Sequence, residues 1–541
     1  MPNRWRATAP YLIAALALAA RLIPTPRTID DAFITFRYAR NLLAGAGFVF
    51  NPGEHVLGTT TPLYTLLMAA LAALFHTSDY PWLALIVNAL ADAGTCILLV
   101  MLGQRLSGGR RVGLAAALLW AVAPMSVTFA IGGMETSVFI FLMIATFTLY
   151  LSPEWPSRQS PISNLYSLTA ALALLTRPDA LIFLGPLAFD LALRLWLGRK
   201  QTGLAHFLLP SSFFLIPLLV WIIFATFYFG TPIPHSITAK VVAYHLQPGE
   251  SFIRLIQHYA TPFFDQLVLG NWWQLGGFIV YLILYCVSGL ASIRRDSRAW
   301  PLVAYPLLYL IAFSLANPLL FRWYLAPPLP MYFIGILGGL DKVISDMSNQ
   351  IAVVSSQKAS VRQSPITIYQ LPLNLQSPIS NLLFLLPTAF FLFCSLNAWT
   401  LHPDHGPDRP APQMAWHKLE LLYTQVGREL ATQIEPGALV AAGDVGALGY
   451  YSNARLLDTV GLNSPEATAY YPLPDSAYVI NYAIPTDLIL DRRPDYVVIL
   501  EVYGRNTFLP DSRFQAEYDL IKKIPTDIYG SRGLLIFRLH P

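Results

Sequence analysis

Apolar runs long enough to enter a bilayer alternate with Lys/Arg clusters over the first 400 residues, and that alternation limits the possible folds more than any single motif does. A bilayer span needs about 20 mainly apolar residues, and basic residues collect on the cytoplasmic side. Arg4 and Arg6 precede the run 11–24, so the N-terminus is expected inside and residues 25–80 outside. That first run reads as a retained span rather than a cleaved leader. The run 62–75 is apolar but short, and counting it as a span would put Arg105, Arg110 and Arg111 outside. It therefore reads as an interfacial or half-inserted helix. Spans at 81–103, 112–131 and 136–151 follow, after which every basic cluster falls inside. Arg194, Arg199 and Lys200 follow 180–197; Arg294, Arg295 and Arg298 follow 272–293; Lys342, Lys358 and Arg362 follow 323–341. Outward spans at 165–176, 204–229, 299–316 and 383–400 bring the expectation to about eleven, leaving the C-terminus outside.

Composition agrees: 55% of the 541 residues are hydrophobic and 12% charged, where a soluble domain carries about 25% charged residues. The formal charge of +4 is too small on so long a chain to suggest a nucleic-acid partner. The lipid bilayer of the plasma membrane is the expected surroundings. Cys96, Cys286 and Cys394 lie in apolar runs without metal-ligand spacing and read as small buried hydrophobes.

QSPISNL occurs at 159–165 and again at 376–382, with a shorter QSPI from 363, and these polar pieces read as tolerated linker insertions. Beyond residue 400 the composition becomes that of an extracytoplasmic α/β domain, 401–541, set after a membrane domain of 1–400. Trp416, Leu419, Tyr423, Val426 and Leu430 recur at helical spacing, while ALVAAG, DYVVIL and GLLIFRL read as short buried strands. The turn Gly443-Asp444-Val445-Gly446, at a strand end, could contact a ligand, although a tight turn needing glycine is the plainer reading.

Chemistry is expected where costly polar groups meet the membrane surface. Asp30 and Asp31 directly follow the first span and open FITFRYARNLLAGAG, where Ile34, Tyr38 and Leu42 form one helical stripe and Arg37, Arg40 and Asn41 lie mostly off it. This is the pattern of a helix lying at the interface. One Asp there caps the helix and favours its dipole. A second adds like-charge repulsion and suggests a base or a cation ligand. Glu135 is a further acid at an outer span end. Outer-facing cations are few: Arg177, Lys240 and Arg322, with Arg37 and Arg40. Each could bind phosphate, although Arg322 could equally snorkel and Arg177 pair with Asp179. His235 and His258 read as surface histidines. Asp92, inside a span, is expected to face the bundle interior, with packing through Asn88 the plain account.

The stretch DDAFITFRYARNLLAGAGFVFNPGEHVLGTTTPLYTLL resembles the first outer loop of GT-C superfamily glycosyltransferases, and most resembles the subgroup of the cell-wall terminal arabinofuranosyltransferase. GGMETSVF from Gly132, LLTRPDALIFL from Leu174 and YFGTPIPHSITAK from Tyr228 are similar to the same family. The chain departs from it at Leu57–Tyr64, LGTTTPLY where the family reads closer to EGYTNPLW. The resemblance spans residues from about 10 to 340 and implies catalysis by the acidic pair, here Asp30 and Asp31. It implies inverting transfer from a polyprenyl-phosphate-linked sugar to an extracytoplasmic glycan, lipid or protein acceptor, with an Asp as general base. The Asp pair beside a phosphate could also hold Mg²⁺ or Mn²⁺, which the sequence does not require. The rival class is a transporter or lipid-linked sugar flippase. Against it, internal duplication is missing and the acids concentrate at one surface.

Overall fold

The structure, a computed structural model, describes residues 2–155, 161–197, 205–361, 376–404 and 407–540. Arg199, Lys200, Arg362, the QSPI piece at 363–366 and residues 159–160 of the first repeat lie outside them. Among the described residues, five helices are long and apolar enough to cross a membrane: Tyr80–Ser107, Ser212–Phe229, Trp273–Arg295, Ser297–Ala316 and Ser380–Asn397. Shorter apolar helices cover Thr8–Leu22, Pro62–Phe75, Thr136–Tyr150 and Pro161–Thr176. The run 112–131 is not one rod. Arg110–Val122 and Pro124–Ile131 meet at 48°, because Pro124 has no N–H to donate and keeps Ala123 out of the helical region, at φ −56° and ψ 130°. Counting that pair as one span gives six. Prolines also shift the run expected from 323. A 3-10 turn, Arg322–Leu325, comes first, and the helix Leu329–Val361 starts only after Pro327 and Pro328. The described parts of the QSPISNL repeats are not linkers: they open the helices Pro161–Thr176 and Gln376–Asn397.

Within the bundle, Asp92 and Arg21 are fully buried and paired at 2.8 Å. Trp120 Nε1 and Ser137 Oγ donate to the same carboxylate at 3.2 and 3.0 Å, so one acid ties four helices together. Asn88 donates to the carbonyls of Ala130 and Met134. Breaking a buried pair of this kind costs about 3–5 kcal/mol. Cys96 and Cys394 are buried as expected, whereas Cys286 is exposed. His258, expected at the surface, is buried, and burial pushes its imidazole down to about 4.

The C-terminal region begins with a hairpin of β1 (Trp399–His402) and β2 (Arg409–Pro412). A five-stranded sheet follows, built from β3 (Leu439–Ala442), β4 (Arg455–Asp458), β5 (Tyr496–Leu500), β6 (Tyr518–Ile524) and β7 (Leu534–Leu539) in the order β4-β3-β5-β7-β6. β3 runs parallel to β4 and β5, and β7 runs antiparallel to β5 and β6. Every residue of β5 is buried, as its unbroken apolar run requires of a central strand. Helix Lys418–Leu430 buries Leu419, Tyr423, Val426 and Leu430 of the predicted stripe, while Trp416 precedes the helix, at the end of a 3-10 turn.

The loop-one helix, Asp30–Leu43, differs most from expectation. It does not present a polar face to water; ten of its fourteen residues are buried, Arg37 and Asn41 among them. Helix Gly446–Ser452 of the C-terminal region packs along it. Arg37 donates to the carbonyls of Phe50, Gly449 and Ala454 at 2.7–2.8 Å. A guanidinium held by carbonyls on two segments is satisfied without water, which explains how a helix with an apparent polar stripe is buried all round.

Candidate active site

Helix geometry separates the two adjacent acids, since successive residues leave an α-helix about 100° apart. Asp30 turns toward the C-terminal region. Its Oδ2 accepts from Gly446 N at 2.9 Å and its Oδ1 from Ala447 N at 2.7 Å. A Cβ at Gly446 would lie 1.8 Å from the Asp30 carbonyl oxygen, so the glycine is needed for close approach rather than for an unusual φ. Burial, then the charge of Asp444, holds the Asp30 carboxyl well above its ordinary range, against the two backbone hydrogen bonds. Asp444 accepts from the Tyr423 and Tyr503 hydroxyls at 3.1 and 3.0 Å, and burial raises it to about 6.

Asp31 turns the other way, into a polar cavity of about 190 Å³. Its carboxylate is 30% exposed and stands 3.9 Å from Lys240 Nζ. Glu135, Arg177 and Asp179 share the cavity with Thr59, Thr60, Thr61 and Tyr324. Arg177 is fixed by two carboxylates, Glu135 Oε1 at 3.0 Å and Asp179 Oδ1 at 2.9 Å, and lies over the Tyr324 ring at 5.0 Å. Lys240 lies 4.8 Å over Phe321. Burial alone would lower its pKa, but the charges of Tyr324, Asp31 and Glu135 outweigh that and raise it, so the ammonium stays charged.

The cavity thus gathers Asp31, Glu135, Arg177 and Lys240 from four separate stretches of sequence. Asp30, Arg37, Arg40 and Arg322 lie elsewhere. Arg40 donates to the Tyr450 carbonyl at 2.8 Å and covers that ring. Arg322 donates to the Met414 carbonyl at 2.6 Å and covers Trp416. With Arg37, these cations join the membrane bundle to the C-terminal region. The donor set does not suit a divalent cation. The carboxylates of the Asp pair diverge, Glu135 and Asp179 are held by Arg177, and no group of three or more His, Cys, Asp or Glu gathers at ligating distance among the described residues.

Sequence reasoning offered only the 443–446 turn as a ligand contact from the C-terminal region, and the residues that reach the cavity come from a later loop. Leu462 lines the cavity, and Tyr38 donates to the Asn463 side chain at 3.1 Å while accepting from Gly58 N at 3.0 Å. A Cβ on Gly58 would lie 2.2 Å from Asn463 Oδ1, so the LGTTTP segment needs glycine where it touches this loop. Asp179 could have been found from its place beside Arg177 in LLTRPDALIFL.

Comparison with solved structures gives similarity over almost the whole chain. ArnT from Cupriavidus metallidurans, bound to undecaprenyl phosphate, aligns with a TM-score of 0.55 at 14% identity, covering 99% of this chain and 98% of that one. An Archaeoglobus fulgidus oligosaccharyltransferase aligns at 0.51 and 12%, covering 92% and 69%. The chain has the GT-C fold. By sequence, this GT-C chain is 29% identical over 227 residues to a terminal β-(1→2)-arabinofuranosyltransferase of Mycobacterium tuberculosis, covering 40% of the chain and 35% of that protein. It is 29% identical over 237 residues to one of the same description from Corynebacterium glutamicum, covering 39% and 32%. The matches therefore span about a third of each relative. A family profile described as a domain of unknown function, DUF8728, matches residues 412–537.

Proposed function

We propose that the chain transfers a glycosyl group from a polyprenyl-phosphate donor to a hydroxyl of an extracytoplasmic acceptor, with Asp31 as general base. The observation that carries this reading is the pairing of one accessible carboxylate with one accessible ammonium in a single cavity, Asp31 with Lys240. The relatives' names and the lipid phosphate bound to ArnT support the choice of chemistry. The acceptor oxygen gives its proton to Asp31 and bonds to the anomeric carbon. The bond from that carbon to the phosphate oxygen breaks on the opposite face, and its electron pair leaves with the polyprenyl phosphate. The anomeric centre inverts. Lys240 stabilises the charge of the departing phosphate, and phosphate needs no general acid. Arg177, held between Glu135 and Asp179, shapes the cavity wall. Asp30 is a positioning residue, and no step passes through a metal ion.

The test is transfer from radiolabelled polyprenyl-phosphate sugars by the purified protein in nanodiscs. Wild type should turn over at least one donor and Asp31→Asn should lose that turnover while remaining folded. A folded wild type inert toward a broad donor panel, or an Asp31→Asn enzyme as active as wild type, would defeat the reading.

A further inference from the structure

A second cavity, of about 390 Å³, lies on another side of the loop-one helix, between the segment containing Pro26, Thr28 and Phe33 and helix Lys418–Leu430. That volume falls within the range of small-molecule sites. The catalytic scheme above uses none of its side chains. Glu420, Thr424, Gln425 and Arg428 line it from one face of the helix, at positions one turn apart.

Glu420 is the decisive group. Its side chain lines the cavity yet is only 8% exposed. Oε1 accepts from the Asp30 backbone N–H at 3.3 Å, and Oε2 has no hydrogen-bond partner. Leaving a buried acceptor unpaired is unfavourable, so an oxygen left without a donor marks a place where a ligand hydroxyl would be favoured. Two turns along the same helix, Arg428 lies over the Tyr451 ring at 4.9 Å, and Tyr451 packs on Phe33 at 5.5 Å. The wall therefore offers an acidic acceptor, a guanidinium donor, an amide, a hydroxyl and two aromatic rings. An anion would meet Glu420, and a cation would meet Arg428. A neutral ligand rich in hydroxyl groups, with apolar C–H faces for the rings, meets neither obstacle.

We propose that this cavity is a saccharide-binding subsite, holding a sugar unit of the acceptor remote from the hydroxyl that reacts. The assignment rests on the glycosyltransferase reading above and deepens it. The cavity is lined by Thr28 and Phe33, which flank the acidic pair in sequence. Glu420 is bonded to the peptide unit next to Asp31, so occupancy of the subsite and the placement of the proposed base share one hydrogen bond.

The test reads binding without any donor. Saturation-transfer NMR with a linear arabinofuranosyl tetrasaccharide, and in parallel with maltotetraose, is recorded on the full chain in nanodiscs and on empty nanodiscs. Wild type should bind at least one of the two, with a Kd on the order of millimolar or tighter. Thr424→Trp, which fills the cavity, should weaken binding tenfold or more. Arg428→Ala, at an exposed position that tolerates truncation, should weaken it at least threefold. Absence of binding by wild type, or equal binding by wild type and both variants, overturns the subsite. Donor turnover is measured separately: a chain that binds the sugar but never turns over a donor would defeat the transferase reading and leave the subsite standing.

Discussion

Asp31 and Asp30 are joined by one peptide bond and lie in opposite surroundings. Asp31 faces an open polar cavity and a single ammonium, while Asp30 sits in a sealed seam where two backbone N–H groups take both its oxygens. A base must be free to accept a proton and within reach of a substrate. A capping group must be neither. On the proposed scheme the same residue type does two jobs, and the surroundings decide which. The pair looks redundant in the sequence only because side-chain direction is invisible there.

This contrast can be broken by experiment, and Asp31→Asn should produce the largest effect. Removing a general base should lower kcat by about 10²–10⁴-fold while the thermal midpoint stays within a degree or two. Lys240→Met should come next. Losing one charge-assisted contact to phosphate is worth about 1.5–3 kcal/mol, so kcat/KM for the donor should fall about 10–100-fold. Asp30→Asn should reverse the pattern, destabilising the protein by about 1–3 kcal/mol through one lost backbone hydrogen bond and reducing kcat less than Asp31→Asn does. A midpoint unchanged in Asp30→Asn would erase the division of labour.

A pH dependence sharpens the seam side. Burial raises the Glu420 carboxyl to about 7, above its value in an unfolded chain of about 4.3. A group whose pKa is raised on folding stabilises fully below the unfolded value, and that stabilisation is lost as pH rises through the folded one. The protein should therefore lose thermal stability between about pH 5 and 8, by up to about 3 kcal/mol from this group. Glu420→Gln should flatten the curve over that window. A wild-type midpoint that climbs with pH there would contradict it.

Much of this was legible in sequence. The apolar runs gave the positions of the bundle helices, and three strands of the C-terminal sheet were visible as short buried stretches. The cavity was legible in parts, because Glu135 and Arg177 stand at the ends of apolar runs while Asp31 and Lys240 lie in outer loops between them. What failed was the assignment of partners. Arg37 and Arg40 look like exposed cations because they lie off the apolar stripe, and a stripe reports only neighbours three or four residues away. Their actual partners, Gly449, Ala454 and Tyr450, come more than 400 residues later. Asn463 and Leu462 were invisible for the same reason. The bend at Pro124 and the delayed helix at Leu329 were readable from proline, and the long apolar runs masked them.

The hydrogen bond from Gly446 to Asp30 spans 416 residues, and it sets a clock on biogenesis. At about 5–20 residues per second, a ribosome makes the acidic pair roughly 20–80 s before it makes the turn that caps one of the two. Until then Asp30 lacks the two backbone N–H groups that take its oxygens. On the proposed scheme, removing the turn at Gly446 would leave the base's neighbour uncapped, so the two halves of the seam act as one unit although they are far apart in the chain.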